Sequence, residues 1–300
     1  MVGAQLDLFD DRHLRVEDAR RALAEGRTQD ACRELFRLRD CYPEDPGIVA
    51  ELDLARTLMC RLGEIEALAP GERPRPLVEL ARATMGGIRA ALLRRAAAEL
   101  RQAGGPAALL DDKAASVLLL EAGDPHTAWA TAVEAVRDSR RARFLAYLAD
   151  VEHRLDHKSR ALARYRAALT LDPYDVDWDA ITSDDVKALP GIARTELELE
   201  DGVAWAAPVG VVLRMLPPGD PPPSAAPGAG GSAAPAALDQ ARDFLRALLR
   251  ASHERGAGAI DARRQMRRLA PQLLAAYLER SHAAPRPPGL TDRERSPGRP

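Results

Sequence analysis

From Leu14 to about Leu171, apolar residues return every three or four positions, the period of one face of an α-helix. The cleanest stretch is residues 142–175. Leu145, Leu148 and Ala149 share one helical face there. After a break at Leu155–His157, Ala161, Tyr165 and Ala168 share a second face, and Pro173 closes the unit. Residues 16–46 repeat the scheme. Ala19, Gly26, Ala31, Leu35, Leu38 and Pro43 take the corresponding positions, with Gly26 ending a first helix and Thr28 placed to cap a second. A third unit, 109–141, lies in a register 33 residues ahead of the cleanest one, carried by Gly123, Ala128, Ala132 and Ala135, with Trp129 as a packing residue. Residues 48–104 are helical without a clear repeat: 48–69, a joint at Pro70, Pro74 and Pro76, then 77–103. Within that last helix Gly86-Gly87 either weakens the element or marks a close crossing.

The pattern changes after Pro173. Thr182-Ser183-Asp184-Asp185 has the form of a capping box and predicts a short helix ending near Leu189-Pro190. Acid and leucine then alternate over 195–200, ahead of Asp201-Gly202 and of Val203 and Trp205. That predicts a β-hairpin, with 209–216 as a third strand, capping the open end of a helical stack. Residues 217–236, rich in Pro, Gly and Ala, read as a flexible linker. Beyond them lie helices at about 237–255 and 259–282, the second kinked or split by Pro271. A disordered tail is expected over 283–300.

A helix pair of this kind cannot bury both apolar stripes alone, so it needs stacked neighbours. The three units resemble tetratricopeptide repeats. The expected fold is therefore mainly α: a helical-hairpin solenoid over 14–173 behind a flexible segment 1–13, a small β-hairpin appendage within the acidic 174–216 stretch, and a linked C-terminal helical pair over 237–282. The resemblance implies a non-enzymatic scaffold whose inner groove binds a partner's peptide. Matched residue by residue, the groove-facing positions are Arg143, Ala146, Asp150, His153 and Arg154, with Lys113, Val117 and Glu121 in the preceding unit. The subclass that grips a C-terminal carboxylate uses groove asparagines, and this chain has no asparagine, which argues against that ligand.

Composition adjusts the picture in a few places. Only Lys113, Lys158 and Lys187 are lysines among 43 basic residues, a bias expected of a GC-rich, bacterial genome. The formal charge of −2 argues against nucleic acid as a partner for the chain as a whole. Locally, nine acids stand against Lys187 and Arg194 in 174–202, whereas nine arginines stand against five acids in 237–282. Solvated helix faces of opposite sign account for this more simply than folding of one stretch onto the other. Three cysteines without a C-x-x-C pattern, no secretory leader and no apolar run long enough to span a bilayer predict a reduced, cytoplasmic protein.

Gln5-Leu6-Asp7-Leu8-Phe9 resembles, at all five positions, the pentapeptide by which bacterial replication and repair proteins dock on the sliding clamp. An extended peptide of this type would place Leu8 and Phe9 in an apolar pocket with Gln5 hydrogen-bonded beside it. The competing reading makes Leu6, Leu8 and Phe9 a flap over the first helix pair. Arg263, Arg264, Arg267 and Arg268 fall on one helix face and are candidate anion contacts, unaccompanied by aromatics or a nucleic-acid-binding motif. His153 and His157 are four apart but straddle a repeat boundary, and Asp175, Asp177 and Asp179 begin a calcium-like loop that fails at Ala180 and Val186, so no metal or cofactor is expected. Catalytic signatures are missing, which leaves an enzyme only if its residues are scattered through the fold.

Overall fold

The computed structural model describes residues 3–220 and 236–283, the side chains of 3–10 and 282–283 excepted. It is mainly α, with 14 α-helices and one two-stranded antiparallel hairpin among these residues. The chain divides into two compact units at Ser183/Asp184, and each is described by itself.

The first unit contains α1 (Gly3–Ala24), α2 (Thr28–Cys41), α3 (Pro46–Glu66), α4 (Pro74–Arg82), α5 (Gly86–Gly104), β1 (Leu109–Leu110), β2 (Lys113–Ala114), α6 (Ala115–Glu121), α7 (Pro125–Asp138), α8 (Ala142–Arg154) and α9 (Lys158–Leu171). Three of its helical hairpins close in the same way. Gly26, Gly123 and Asp156 take positive φ of 78°, 75° and 61°. The next residue's amide reaches back to the last turn of the first helix: Arg27 to the Ala22 carbonyl, Asp124 to Leu119 and His157 to Glu152, at 2.8, 3.0 and 2.9 Å. This is the glycine-type helix stop, with an aspartate standing in for glycine at the third site. The second helices also end alike, with Tyr42, Ser139 and Asp172 donating to Leu38, Ala135 and Ala168.

Burial follows the periodicity. Leu35, Leu38, Leu52, Leu58, Leu77 and Leu118 belong to one apolar core that runs on to Val151 in α8. Asp45 and Asp124 accept from the first-turn amides of α3 and α7. At the surface, arginine–carboxylate pairs such as Arg20–Glu51 and Arg95–Glu66 join neighbouring helices. They are exposed and each contributes little to stability. Gly87 lies where α1 meets α5; a Cβ there would sit 2.9 Å from that of Ala24, so the glycine pair marks a close crossing, and Gly86, at φ +59°, begins α5.

Four expectations need correction. The backbone is helical from Gly3, so the segment before residue 14 belongs to α1. The hairpin lies at 109–114, in register Leu109↔Ala114 and Leu110↔Lys113, where a repeat helix was expected to begin; Asp111 and Asp112, at φ 47° and 66°, make its turn. Residues 195–205 form no hairpin. Leu199 is buried and Glu198 turns at φ +50°, while Val209, assigned to a strand, lies in a helix. Finally, the helix expected to end near Leu189-Pro190 runs through Pro190 to Thr195; the split expected at Pro271 is present and makes the C-terminal pair a trio.

The second unit holds α10 (Asp184–Thr195), α11 (Ala206–Val212), α12 (Ala236–His253), α13 (Ala257–Leu269) and α14 (Pro271–Ala283). Trp205 meets Phe244 edge to face, with ring centroids 5.8 Å apart. The Arg280 guanidinium donates to the Leu213 carbonyl at 2.8 Å. Gly202 is seated against Pro190: a Cβ on it would lie 2.2 Å from the Pro190 carbonyl oxygen. The expected linker falls mostly at 221–235, and the expected tail at 284–300, outside the described residues.

Candidate functional site: the groove along α6 and α8

The residues after α9 turn back along α8 instead of leaving the first unit. Tyr174's amide donates to Asp172 Oδ1 at 3.1 Å, and the Trp178 indole donates to the Pro173 carbonyl at 3.0 Å, which folds the start of the segment on itself. Arg141 pairs with Asp175, and Arg143 bridges Asp175 at 2.9 Å and the hairpin residue Asp112 at 2.7 Å. The Tyr147 hydroxyl donates to the Asp112 carbonyl at 2.7 Å and faces Asp177 at 3.4 Å. Further along, Asp150 Oδ1 accepts from the Thr182 amide at 2.8 Å, from its hydroxyl at 3.0 Å, and from the Tyr165 hydroxyl of α9. A stretch of successive turns is thus held by side chains of α8, partly through its backbone.

This arrangement sets the electrostatics. Burial pushes the Asp150 carboxyl above the usual carboxylate range, against the hydrogen bonds from Tyr165 and Thr182. Burial likewise raises the Tyr147 and Tyr165 hydroxyls, reinforced by the neighbouring Asp177 and Asp150. Asp175 goes the other way: burial acts to raise it, but hydrogen bonds from Arg141 and the Arg143 amide outweigh that and hold it low. Buried, perturbed groups of this kind can mark catalytic sites. Here their hydrogen bonds go to one another and to the returning segment.

Beside the segment lies a cavity of about 290 Å³ between α6 and the residues after Asp177, lined by Lys113, Val117, Glu121, Arg154, Asp179 and Thr182. A second, of about 330 Å³, opens on the other flank of α6 toward α4 and α5, lined by Val78, Arg82, Arg89, Leu93 and again Lys113 and Glu121. The Lys113–Glu121 pair, at 2.8 Å, stands between the two. Arg89 reaches Glu121 at 4.0 Å, whereas Arg82 and Arg154 make no ion pair among the described residues.

No protein-family model matches the chain. Comparisons with curated proteins and with solved structures also return no match. The groove must therefore be judged on its own chemistry.

Of the eight expected groove residues, Lys113, Val117, Glu121 and Arg154 line open space. Ala146 and Asp150 are buried, Asp150 with its oxygen engaged by Thr182, and Arg143 is committed to Asp175 and Asp112. These three correct the expectation of a solvent-facing groove at α8; His153 is half-buried and lines neither cavity. Arg82 and Arg89 were missed, because the periodicity joined α4 and α5 into one helix; the Gly86-Gly87 pair was the signal that they part. The backbone of Gln5, Leu6, Asp7, Leu8 and Phe9 lies in α1, and their side chains fall outside the described residues. Arg263, Arg264, Arg267 and Arg268 are exposed on α13; Arg264 pairs with Asp261 at 2.9 Å, and the other three form no ion pair among the described residues. No group of His, Cys, Asp or Glu among the described residues could hold a metal ion, and no helix there is long and apolar enough to cross a membrane.

Proposed function

We propose that the first unit is a non-enzymatic, tetratricopeptide-like scaffold that holds an extended segment of a partner protein in the groove along α6. One observation carries the reading: α8 already grips a non-helical segment of the chain itself, the turns of 175–182, at three points through Arg143, Tyr147 and Asp150, two of them bonds to its backbone. The shared closure of three helical hairpins supports the repeat character. A peptide selection on the full-length protein tests it. Selected peptides should bind the wild type and lose about tenfold in affinity or more when Val117→Arg fills the groove, as expected for a wall residue at the centre of a small interface. Peptides that bind the variant equally well would remove the groove from the proposal.

A second reading rests on the pentapeptide Gln5–Phe9, which would tether the scaffold to the sliding clamp of DNA replication and repair. Docking as an extended peptide requires the first turns of α1 to unwind. On this reading the wild type binds purified clamp and Leu8→Ala/Phe9→Ala does not; equal binding by both proteins rejects the motif.

A further inference from the structure

Building on that scaffold reading, we infer that the cleft between α4, α5 and α6 is a carboxylate seat for an extended partner segment in which acidic and aliphatic residues alternate. Three cations line this cleft, Arg82, Arg89 and Lys113, against the single acid Glu121. Glu121 is already committed: one oxygen accepts from Lys113 at 2.8 Å, and the other lies 4.0 Å from Arg89. Arg82, exposed at the end of α4, has no acid partner among the described residues. The cleft thus carries two positive charges more than it can neutralise. An incoming carboxylate between Arg82 and Arg89 would meet planar donor pairs suited to bidentate hydrogen bonds.

The aliphatic residues behind these charges are mostly covered: Ala81, Leu93 and Leu118 are buried and Val78 is half-buried, so the accessible lining of the cleft itself is mainly polar. Accessible apolar surface lies next door, at Val117 and Leu120 of the neighbouring cavity, where an aliphatic residue following the seated acid would be covered and a bare inorganic anion would make no contact. The cleft also meets the neighbouring cavity at Lys113 and Glu121, so a ligand seated in one can continue into the other, as a chain does and a small anion does not.

The molecule uses the same chemistry on itself. Asp175 is held by Arg141 and Arg143, Val176 is buried, and Asp177 faces the Tyr147 hydroxyl, an acid–aliphatic–acid sequence gripped by arginine and apolar surface. The cleft at α4–α6 repeats that combination, with Arg82 and Arg89 in place of Arg141 and Arg143.

A fluorescein-labelled peptide copying residues 174–182 is the probe, titrated by anisotropy into the full-length protein. It should bind, and binding should weaken with added salt as exposed charge pairs are screened. Replacing its aspartates with asparagine, or making Arg82→Glu/Arg89→Glu in the protein, should each reduce affinity about tenfold or more through loss of the charge-assisted bonds. Both arginines are exposed, so circular dichroism should report an unchanged fold, and Arg61→Glu, on α3 and outside both cavities, should bind as the wild type does. Millimolar inorganic phosphate should not displace the peptide. Equal affinity for the asparagine peptide, an unaffected double variant, or displacement by phosphate overturns the carboxylate seat and leaves the scaffold standing. No binding of this peptide also overturns it, and the peptide selection above then decides whether the scaffold reading falls as well.

Discussion

Replacing Asp150 with alanine is expected to destabilise the first unit by about 3 kcal/mol, because it strands donors that converge on one buried carboxylate. Tyr165 is fully buried and its hydroxyl donates to Asp150, as do the amide and hydroxyl of Thr182. Urea unfolding followed by tryptophan fluorescence measures the loss, since Trp178 lies in the segment that would be released. The effect carries a pH signature. Burial raises Asp150 above the unfolded carboxylate range, so the native state holds the proton more tightly than the unfolded chain. The associated stability is complete below the unfolded value and is lost as pH rises through the raised native value. The wild type should therefore gain on Asp150→Asn as pH is lowered from about 7 toward 4, near the ordinary carboxylate range. Asp175 has the opposite sign: its stabilisation, dominated in effect by the arginines that overcome burial, is lost as pH falls through its depressed value. Asp175→Asn should hence cost most at neutral pH. A gap between wild type and Asp150→Asn that stays flat with pH would remove the buried-carboxylate account.

Gly202→Ala is expected to cost about 3 kcal/mol in the second unit, since a forced contact between backbone groups cannot be relieved by turning a side chain. The added Cβ would sit 2.2 Å from the Pro190 carbonyl oxygen and 3.1 Å from its carbonyl carbon. Gly191 is the matched control. It lies inside α10 with nothing within 4 Å of an added methyl, so Gly191→Ala should stabilise by roughly 0.5–1 kcal/mol through helix propensity. Thermal unfolding of the two variants gives shifts of opposite direction. A Gly202→Ala protein as stable as wild type would mean that the approach of the two segments is not tight in solution.

These two glycines also show what local sequence can convey. Helical periodicity placed the hairpins because each buries a stripe that repeats every turn, and Gly26 and Gly123 announced their turns by the conformations only glycine adopts readily. Asp156 makes the same turn without that announcement. At Asp201-Gly202 the dipeptide looked like a hairpin turn, yet Gly202 serves close approach to Pro190, a contact twelve residues away along the chain. The alternation before it failed for a related reason: Leu199 is buried by tertiary packing, with no strand partner. The groove was half legible. Val117, Glu121 and Arg154 follow from helix phase, which says which face is outward, whereas Lys113 reaches the groove from β2, where the periodicity expected a helix. That Asp150 is covered by residues 175–182 depends on where a later segment lies, and no periodicity carries that information.

The scarcity of lysine turns the groove into its own reporter. Lys113 stands between the two cavities, while Lys158 lies exposed at the start of α9. Nearly every other cation is arginine, which amine reagents leave untouched. Acylation of the native protein therefore samples very few side chains, one of them at the centre of the proposed binding surface. A ligand lying across α6 would shield Lys113 while Lys158 continued to react, so the ratio of the two adducts reads occupancy of the groove without a reporter residue having to be engineered into the chain.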